Sequence, residues 1–304
     1  MKLKSVPPGK YVLAVSGGVD SMVLLDALAR QPGLDLVVAH FDHGIRPDSA
    51  EDRELVAQTA HRYKLPYIYE EGHLGPTASE AQARKARYDF LERARAQHGA
   101  QAIITAHHQD DLLETMLINL IRGTNRKGLT SLRSHGKLLR PLLKTGKGAI
   151  LRYAQDHHIC WHEDSTNSSD AYLRNRLRQT VLPRLLPTQR AQLLTINQQA
   201  TAVNTELDQQ IAELLDAITP GGKLSRPSFA QLPHALAKEV MAAWLRAYSV
   251  RNMSAKQIER LVIAVKTAQS GTTHNIENRK NMKITLKFAE IVLEPLSQRR
   301  PQGV

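Results

Sequence analysis

The stretch Tyr11–Ser21 (YVLAVSGGVDS) decides the fold of this 304-residue chain. Its first part, Tyr11–Val15, is short, apolar and rich in β-branched or aromatic residues, so it predicts a strand. Ser16–Ser21 (SGGVDS) follows, and a helical pattern opens at Ser21. Glycines let a backbone approach a ligand closely, and a helix N-terminus offers free N–H groups to an anion. The complete string favours a phosphate-binding loop over a plain glycine turn, although it is not a G-x-x-x-x-G-K-[ST] loop.

The first half of the chain alternates between two kinds of segment. Strands are predicted at four short apolar stretches, Tyr11–Val15, Asp35–His40, Pro66–Glu70 and Gln101–Ala106. Helices are predicted near residues 21–30, 49–64, 77–98 and 109–121, the third opening with a Thr77–Glu80 capping box. This alternation indicates an α/β fold with a doubly wound parallel sheet. Ligands of such sheets bind beyond the carboxyl ends of the strands, so the candidate site comprises the loops after Val15, Ala39, Glu70 and Ala106.

The second half is predicted to be mostly helical, with helices near residues 146–158, 171–186, 188–218, 228–248 and 254–268. Thr219–Gly222 (TPGG) breaks this pattern strongly. Alternating segments at 272–278, 282–288 and 290–294 then predict a small antiparallel sheet. We therefore expect a first domain over residues 1–187, a helical linker over 188–218 and a smaller α+β C-terminal domain over 219–304.

The charge of the chain is positive and unevenly distributed. Lys and Arg number 41 against 29 Asp and Glu, a formal net charge of +12. Residues 1–100 hold 13 charges of each sign, whereas Arg122–Arg152 contains nine basic residues and no acidic one. Such a run is compatible with a solvated loop, but it also suits the phosphates of a nucleic acid, which dominate affinity in protein–nucleic acid contacts.

Several classes of protein are excluded by composition. The single cysteine, Cys160, cannot form an internal disulfide, a CxxC redox pair or a four-thiolate iron–sulfur site. No uncharged apolar run reaches the ~20 residues that span a bilayer. The basic start MKLKSVPPGK precedes only a short apolar stretch, which does not fit a signal peptide. We expect a cytoplasmic protein with a polyanionic partner and no membrane partner.

Charged side chains also cluster after the fourth predicted strand. Asp110 and Glu114 are four residues apart on one predicted helix, and Asp111 and Glu114 are three apart, so these carboxylates share one end and a side of it. Beside a phosphate site these acids need a cation, either Mg²⁺ or the ammonium of a substrate, although acids in a first helical turn also stabilise the helix dipole. Arg84 and Arg87 lie one turn apart and could bind phosphate, or form surface ion pairs such as Glu80 with Arg84.

Four histidines at the predicted strand ends raise the question of zinc: His40, His43, His107 and His108. No thiolate or H-E-x-x-H motif accompanies them, so contacts to nucleotide or substrate are favoured over a zinc site. Cys160 is assigned no catalytic role.

Ser16–Ser21 resembles the SGGxDS pyrophosphate loop of the ATP pyrophosphatase superfamily, whose members have an adenine nucleotide α-hydrolase-like sheet and cleave ATP between its α and β phosphates. The resemblance implies that Ser16, Gly17, Gly18 and Ser21 hold the β and γ phosphates, with Val19 and His40 also at the ATP, and that Asp20 helps to position Mg²⁺. A single Asp is chemically reasonable there, since Mg²⁺ usually binds one or two carboxylates plus phosphates.

Further strings narrow this resemblance. They are HFDHGIR at 40–46 with Ser49 and Glu51, Glu80–Tyr88 (EAQARKARY), Thr105–Thr115 (TAHHQDDLLET), Arg122-Gly123, Gly128-Leu129, Arg140-Pro141-Leu142, Glu163–Asn167 (EDSTN) and Arg174-Asn175-x-x-Arg178. In this order they resemble the tRNA(Ile)-lysidine synthase family from about Tyr11 to Pro187, and the remainder resembles that family more weakly.

The family resemblance implies a ligase that joins L-lysine to the wobble cytidine of the CAU anticodon of isoleucine tRNA, through an adenylylated cytidine, and changes the codon read from AUG to AUA. It implies ATP as substrate, Mg²⁺, free lysine and tRNA as partners, and a tendency to form homodimers. Carried onto this chain, the catalytic residues are Asp20, Asp110, Asp111 and Glu114. Lysine or cytidine would contact Arg84, Arg87, His107 and Asp111, and tRNA would contact Arg122, Arg126, Lys127, Arg174 and Arg178.

Two other functions remain open at the level of sequence. A tRNA-thiolating enzyme of the same superfamily would use sulfur as the nucleophile, but such enzymes generally need cysteine pairs or an iron–sulfur cluster. A nucleotide-sensing or RNA-binding module could retain the loop without catalysis, but it would not need the acidic set that includes Asp20 and Asp111.

The chain departs from the family pattern in two places. Thr124–Gly128 (TNRKG) stands where the family is often richer in glycine. The chain also ends at residue 304, which we expect to be too early for the second C-terminal domain of longer members, so that contacts to the acceptor stem would differ or come from residues 220–304.

Overall fold

A computed structural model describes residues 1, 3–44, 49–73, 75, 79–162, 173–250, 253–276, 282–287 and 289–295. The chain divides into two compact units, Met1–Ala200 and Thr201–Val304. The family strings at residues 45–46 and 163–167, together with Thr77, lie outside the described residues. In the described part of the chain, no helix combines the length and apolar character needed to cross a membrane.

The first unit is built on a parallel sheet of five strands in the order β3-β2-β1-β4-β5. The strands are β1 (Gly9–Ala14), β2 (Leu34–Asp42), β3 (Tyr67–Glu71), β4 (Ala102–Ile104) and β5 (Leu138–Leu139). The chain winds outward from β1 in one direction and then returns to β4 on its other side. This reversal of strand order creates a crevice at the carboxyl edge of the sheet, between β1 and β4.

Helices cover both faces of this sheet. They are α1 (Val19–Ala29), α2 (Ser49–Arg62), α3 (Glu80–Gln97), α4 (Gln109–Ile121) and α5 (Lys147–Asp156). Side chains of β1 alternate between the faces because successive strand residues point in opposite directions. Leu13 packs with α1, α2 and α5, whereas Val12 packs with Phe90 and Leu91 of α3. The predicted doubly wound α/β fold is therefore confirmed.

The segment that begins at Leu173 is helical but irregular. It comprises α6 (Leu173–Arg176), a π-helical turn at Leu177–Val181 and a 3-10 turn at Leu182–Arg184, followed by α7 (Pro187–Ile218). The prediction of one continuous helix over 171–186 is wrong in this part, and Pro183, which lacks a backbone N–H, lies in the final turn.

The second unit contains its own core and an antiparallel sheet in the order β6-β9-β8-β7. Its elements are β6 (Leu224–Ser225), α8 (Arg226–Gln231), α9 (His234–Ala247), α10 (Ala255–Thr267), β7 (Thr273–Ile276), β8 (Met282–Leu286) and β9 (Glu290–Pro295). Trp244 and Phe229 are its largest buried side chains. The predicted small antiparallel sheet is confirmed, but the single helix predicted over 228–248 is interrupted before Pro233, the N-cap of α9.

Two predicted helix starts differ from the structure. Helix α1 begins at Val19 rather than Ser21, with Gly18 as its N-cap. Helix α3 begins at Glu80, and its capping box pairs Ser79 with Gln82, so the predicted Thr77–Glu80 box is wrong. A capping box is present at this helix start, but it lies two residues further along the chain than predicted. Ser79 and Gln82 have the same i,i+3 spacing as Thr77 and Glu80, so the sequence pattern fits both pairs.

Candidate functional site

A cleft of about 420 Å³ opens at the carboxyl edge of the parallel sheet. It lies where β1, β2 and β4 end, which is where sheet topology predicts a ligand. The predicted site residues that line it are Ser16, Gly18, Asp20, Ser21, His40, Arg87, His107, Asp111 and Arg178. The predicted residues that do not line it are Gly17, Val19, Arg84, Asp110, Glu114, Arg122, Arg126, Lys127 and Arg174. The cleft lies at the loops that the sequence predicts, and four of its six Asp and Arg lining residues are predicted site residues.

Hydrogen bonds of the Ser21 hydroxyl group stabilise the loop after β1. The Ser16 amide donates to Ser21 Oγ at 3.1 Å, and Ser21 Oγ donates to the Gly18 carbonyl at 2.9 Å. Gly17 has φ +95°, and a Cβ built on it would lie 2.8 Å from Asp52 Oδ1. Glycine at position 17 is therefore required both by backbone conformation and by the neighbouring carboxylate.

The N-terminus of α1 points its backbone donors into this loop. Gly18 has extended φ and ψ and provides no side chain to cap the first turn. The amides of Ser21 and Met22 both donate to the Gly18 carbonyl, at 3.1 Å each, so an anion would be bound by the amides that precede Ser21. A helix end without a side-chain cap offers its first N–H groups and its positive dipole end to an anion. This arrangement suits a phosphate group.

Asp20 is the acidic residue of the loop and lies between two basic side chains. Its Oδ1 accepts a hydrogen bond from Lys147 Nζ at 2.7 Å, and its Oδ2 lies 3.6 Å from His108 Nε2. Burial alone would raise the pKa of Asp20, but the hydrogen bonds and charges of His108 and Lys147 lower it to about 2. The carboxylate is therefore ionised at neutral pH.

His108 connects the first loop to α4. It is the N-cap of α4, where its Nδ1 accepts from the Asp110 amide at 3.2 Å and its own amide donates to Asp111 Oδ2 at 2.8 Å. Burial alone would lower the pKa of His108, but Asp20 and Asp111 raise it. Its Nε2 lies 3.6 Å from a carboxylate oxygen of each of them, so His108 bridges Asp20 and Asp111, two of the acidic residues that line the cleft.

The three predicted carboxylates of α4 all pair with arginines from the irregular helical segment or from α7. Asp110 Oδ1 lies 2.6 Å from Arg190 Nη1, and Asp111 Oδ1 lies 2.7 Å from Arg178 Nη2. Glu114 is 1% exposed and forms ion pairs with Arg174 and Arg178. Burial raises the pKa of Glu114, although both arginines oppose the effect. Asp111 is the only one of these three acids that lines the cleft.

Two histidines of the cleft are held in a neutral state. His40 is buried, and its Nδ1 lies 2.9 Å from the Val15 carbonyl. Burial lowers the pKa of His40, more than its hydrogen bond and nearby acids raise it. His107 Nδ1 lies 2.8 Å from Thr105 Oγ1, and burial, together with the charges of Arg140, Arg87 and Arg84, lowers its pKa to about 2. Neither imidazole supplies a cation to the site at neutral pH.

The predicted RNA contacts in the basic run occupy the loop that follows α4. Arg122 is the exposed C-cap of that helix, and Arg126 and Lys127 are half-buried. The loop is attached through its backbone, since Asn119 Nδ2 donates to the Gly128 carbonyl at 2.8 Å and Asn197 Nδ2 donates to the Leu129 carbonyl at 2.6 Å. The basic side chains are thus presented on an anchored loop outside the cleft lining.

Sequence reasoning missed several residues of the site. Lys147 begins α5 and Asp52 lies in α2, yet both reach the glycine loop. His162 Nδ1 lies 3.0 Å from Asp52 Oδ1, and its amide donates to the Gly17 carbonyl at 3.2 Å. The signal for Lys147 was its position at the start of a predicted helix. Nothing in the local sequence indicated that Asp52 or His162 would support the loop.

The donor set around Asp20 fits a divalent cation only in company with phosphate. Among the described residues, no group of three or more His, Cys, Asp or Glu side chains is arranged to hold a metal ion. Asp20 is nevertheless an ionised carboxylate beside backbone donors for phosphate, and Mg²⁺ prefers oxygen ligands from one or two carboxylates together with phosphate. The residues therefore fit a metal ion that binds as a complex with a nucleotide.

A doubly wound sheet with a glycine loop at the first helix N-terminus defines an α/β protein of the phosphate-loop class. Residues 2–185 match the family model described as the PP-loop domain, so the chain belongs to the PP-loop family. Among curated proteins, the tRNA(Ile)-lysidine synthase of Enterococcus faecalis is 37% identical over 72% of this chain and 51% of its own length. That of Francisella tularensis subsp. holarctica is 28% identical over 96% of this chain and 75% of its own length.

These relatives confirm the resemblance that the sequence motifs predict. The chain spans about half the length of the first curated relatives that it matches, 51% of the Enterococcus protein and 43% of one from Lactobacillus johnsonii. Among solved structures, the U34-tRNA thiolase NcsA from Methanococcus maripaludis, with its [4Fe-4S] cluster, superposes with a TM-score of 0.51. It is 18% identical and covers 64% of this chain and 73% of that chain, which is a likeness of fold.

Proposed function

We propose that this chain is an ATP-dependent ligase that joins L-lysine to the wobble cytidine of an isoleucine tRNA with a CAU anticodon, giving lysidine. The observation that supports it most is the meeting, in one cleft, of the glycine loop with Asp20, Asp111 and Arg178. Similarity to curated tRNA(Ile)-lysidine synthases supports the choice of substrates.

The first chemical step is adenylylation of the base. The cytidine O2 attacks the α phosphorus of ATP, the α–β phosphoanhydride bond breaks, and pyrophosphate leaves. The loop residues Ser16, Gly17, Gly18, Val19 and Ser21 bind the β and γ phosphates, with His40 beside them. Asp20 would hold Mg²⁺ together with the phosphates, and the ion would supply charge neutralisation there. Lys147 stabilises negative charge on the phosphates next to Asp20.

The second step is attack by lysine. The ε-amine of free lysine forms a bond to C2 of the adenylylated cytidine, the C2–O2 bond breaks, and AMP departs with the oxygen while the amine loses its proton. The ammonium of the incoming lysine binds the carboxylate of Asp111, the acid of α4 that lines the cleft, where Arg178 lies in the free protein. Arg87 and His107, which line the same cleft, contact the lysine or the cytidine. The product base pairs with A, which changes the codon read from AUG to AUA.

Lysine incorporation tests this function. The chain is incubated with ATP, Mg²⁺, labelled lysine and a transcript of isoleucine tRNA with a CAU anticodon, and label in the RNA is counted. We expect label only when ATP is present, with AMP and pyrophosphate as products. Asp20→Ala, with an unchanged circular dichroism spectrum, abolishes incorporation. Folded wild-type protein that binds this tRNA but incorporates no lysine would indicate a binding module, and incorporation of sulfur instead would indicate a thiolating enzyme.

A further inference from the structure

We propose that Asp52 and His162 are positioning residues for the glycine loop. Together they fix the peptide between Gly17 and Gly18 in the orientation that directs the Gly18 amide towards a phosphate of the ligand. The proposal rests on the proposed function only in that ATP is the ligand that binds the loop.

The Gly17 carbonyl has a hydrogen-bond partner from a distant part of the chain. The His162 amide donates to this carbonyl at 3.2 Å. The C=O and N–H groups of a planar trans peptide point in opposite directions, so this bond directs the Gly18 N–H away from His162. Gly18 lines the cleft, whereas Gly17 and His162 do not. The Gly18 N–H is therefore directed towards the cleft side of the loop.

The Gly18 amide is available to a ligand. Among the described residues, no group accepts a hydrogen bond from it. It also precedes the first turn of α1, where the positive end of the helix dipole favours an anion. In the opposite orientation of the peptide, the Gly17 carbonyl oxygen would replace this N–H and repel the oxygens of a phosphate. The orientation of this peptide therefore decides whether the loop attracts or repels a phosphate at this point.

Two successive glycines allow this peptide to turn over. A flip changes ψ of Gly17 and φ of Gly18 together, and it would carry φ of Gly18 from −74° into the positive region. Glycine populates positive and negative φ about equally, so the two glycines do not themselves select one orientation. A contact from outside the loop is needed to select it, and the His162 amide supplies that contact.

His162 is itself fixed by two other parts of the first unit. Its ring Nδ1 lies 3.0 Å from Asp52 Oδ1, so the ring donates a hydrogen bond to this carboxylate. Asp52 lies on α2 and is 8% exposed. The preceding residue, Trp161, packs against the hydrophobic core of the sheet. The amide that binds the Gly17 carbonyl is therefore held through the ring of His162 and through the backbone before it.

The charge of Asp52 would by itself oppose phosphate binding. Asp52 lines the cleft, and a Cβ built on Gly17 would lie 2.8 Å from its Oδ1, so the carboxylate lies against the loop. Like charges repel, so a role through charge alone predicts that ATP binds more tightly once Asp52 is removed. A role in fixing His162 predicts the opposite sign. The two roles are therefore distinguished by the direction of one measured change.

Two measurements test the proposal without turnover. Calorimetry gives the affinity for ATP, once with Mg²⁺ and once with EDTA. Hydrogen exchange followed by NMR reads the protection of the His162 amide in the free protein, since this amide exchanges slowly while it donates to Gly17. The variants are Asp52→Ala, Asp52→Asn and His162→Ala. Glu54→Ala is the matched control, because Glu54 is an exposed acid of the same helix that does not line the cleft.

We expect Asp52→Ala and His162→Ala to weaken ATP binding by about tenfold, both with Mg²⁺ and without it. A peptide that turns freely presents the Gly18 N–H to ATP for only part of the time, which lowers the apparent affinity by that fraction. Exchange of the residue 162 amide becomes faster in both variants. Asp52→Asn keeps an acceptor oxygen for the ring and loses the charge, so it binds ATP as tightly as the wild type or more tightly. Glu54→Ala changes neither quantity.

The lysine-incorporation assay separates this role from a general structural one. Bound ATP restores the peptide orientation, so we expect the KM for ATP to rise by the same factor in His162→Ala while kcat at saturating ATP is retained. If Asp52→Ala does not fold, His162→Ala gives the same comparison, because 42% of the His162 side chain is exposed.

Folded variants Asp52→Ala and His162→Ala that bind ATP like the wild type, or more tightly, would overturn the proposal. A loss of affinity confined to the titrations with Mg²⁺ would also overturn it, because that result assigns Asp52 to the metal ion. The proposed function fails in a different way, since the wild type would then bind ATP without incorporating lysine.

Discussion

Lys147 Nζ donates a hydrogen bond to Asp20 Oδ1 at 2.7 Å, although 127 positions separate the two residues in the chain. Asp20 lies in the first turn of α1 and Lys147 begins α5, and the two helices pack on the same face of the sheet. The helix starts therefore place a carboxylate and an ammonium together at the carboxyl edge. One group suits a metal ion and the other suits a phosphate, and their pairing in the free protein holds the ammonium beside a carboxylate that lines the cleft.

Removing the Lys147 charge is expected to impair nucleotide handling. Lys147→Met leaves Asp20 with His108 alone, so the pKa of Asp20 rises from about 2 towards its ordinary value of 3.8. We expect the rate of lysine incorporation to fall by about tenfold or more, since a lost charge-assisted contact exceeds ~1.4 kcal/mol. Carboxyl titration by carbon NMR checks the pKa, and the incorporation assay checks the rate.

Lys144→Gln is the matched control, because Lys144 is an exposed lysine three positions before Lys147, whereas Lys147 forms the ion pair with Asp20. Lys147→Arg keeps the charge and should retain part of the activity. Equal pKa values for Asp20 in wild type and Lys147→Met would contradict the contact on which this prediction rests.

The fold of the first unit was predictable because its signals are local. Strand β1, the glycine loop and α1 follow one another within about twenty residues, and hydrophobic periodicity identifies them without tertiary information. Strand β5 was missed because Leu138–Leu139 is only two residues long, which is too short to show the alternation of a strand. Its existence matters, since it places Arg140 at the edge of the sheet.

The partners of the site residues were not predictable in the same way. Asp110, Asp111 and Glu114 are adjacent on α4, but their arginine partners come from residues 174, 178 and 190. These ion pairs form because the irregular segment packs against α4. No periodicity or residue spacing in the sequence indicates that packing. The sequence therefore predicted which acids gather, and the structure shows which of them faces the cleft.

Gly17 offers a direct test of the loop conformation. Gly17→Ala must place a Cβ at φ +95°, 2.8 Å from Asp52 Oδ1. A residue forced into this backbone region is strained by about 1–3 kcal/mol, so we expect the free energy of unfolding to fall by that amount. Thermal and urea unfolding measure the change.

Gly18→Ser is the control for that experiment. Gly18 has φ −74°, and a Cβ there would lie 3.7 Å from Ser16 Oγ, an ordinary contact. Serine is also a favoured N-cap residue, so we expect unchanged or slightly higher stability. Equal destabilisation by the two substitutions would mean that the loop does not hold Gly17 in the left-handed region.

Asp26 gives the fold a dependence on acid. It is 4% exposed and accepts hydrogen bonds from Arg30, Tyr63 and Tyr153, which join α1 to α2 and α5. Burial raises the pKa of Asp26, but these three partners lower it to a net value below 3.8. Its contribution to stability is therefore complete above about pH 4 and is lost as the pH falls through the lowered pKa.

Tyr153→Phe removes one donor to Asp26, at 2.9 Å, while keeping the ring that stacks on His157. We expect a loss of about 1–2 kcal/mol in the free energy of unfolding at pH 7, and a smaller loss at an acidic pH below the lowered pKa of Asp26. Urea unfolding at the two pH values measures the difference. A loss that is independent of pH would show that the hydroxyl acts through some group other than Asp26.

The basic loop after α4 is expected to contribute to RNA affinity through phosphate contacts. Arg126 and Lys127 precede the 3-10 turn at Gly128–Thr130, which Asn119 and Asn197 anchor. Arg126→Gln with Lys127→Gln should weaken tRNA binding and reduce the slope of log K against log salt by about 1.5, since each single-strand or duplex phosphate contact contributes about 0.7–0.9. Anisotropy titrations at several KCl concentrations measure both quantities.

The control for this loop is the pair Arg62→Gln with Lys64→Gln, which removes the same charge from exposed positions. Arg62 ends α2 immediately before β3, so it lies at the amino edge of the sheet, opposite the cleft. If tRNA binding is steered only by net charge, both double variants will lower the affinity and the slope equally. We expect a larger effect from the Arg126 and Lys127 pair, because RNA phosphates are predicted to contact the loop after α4 directly.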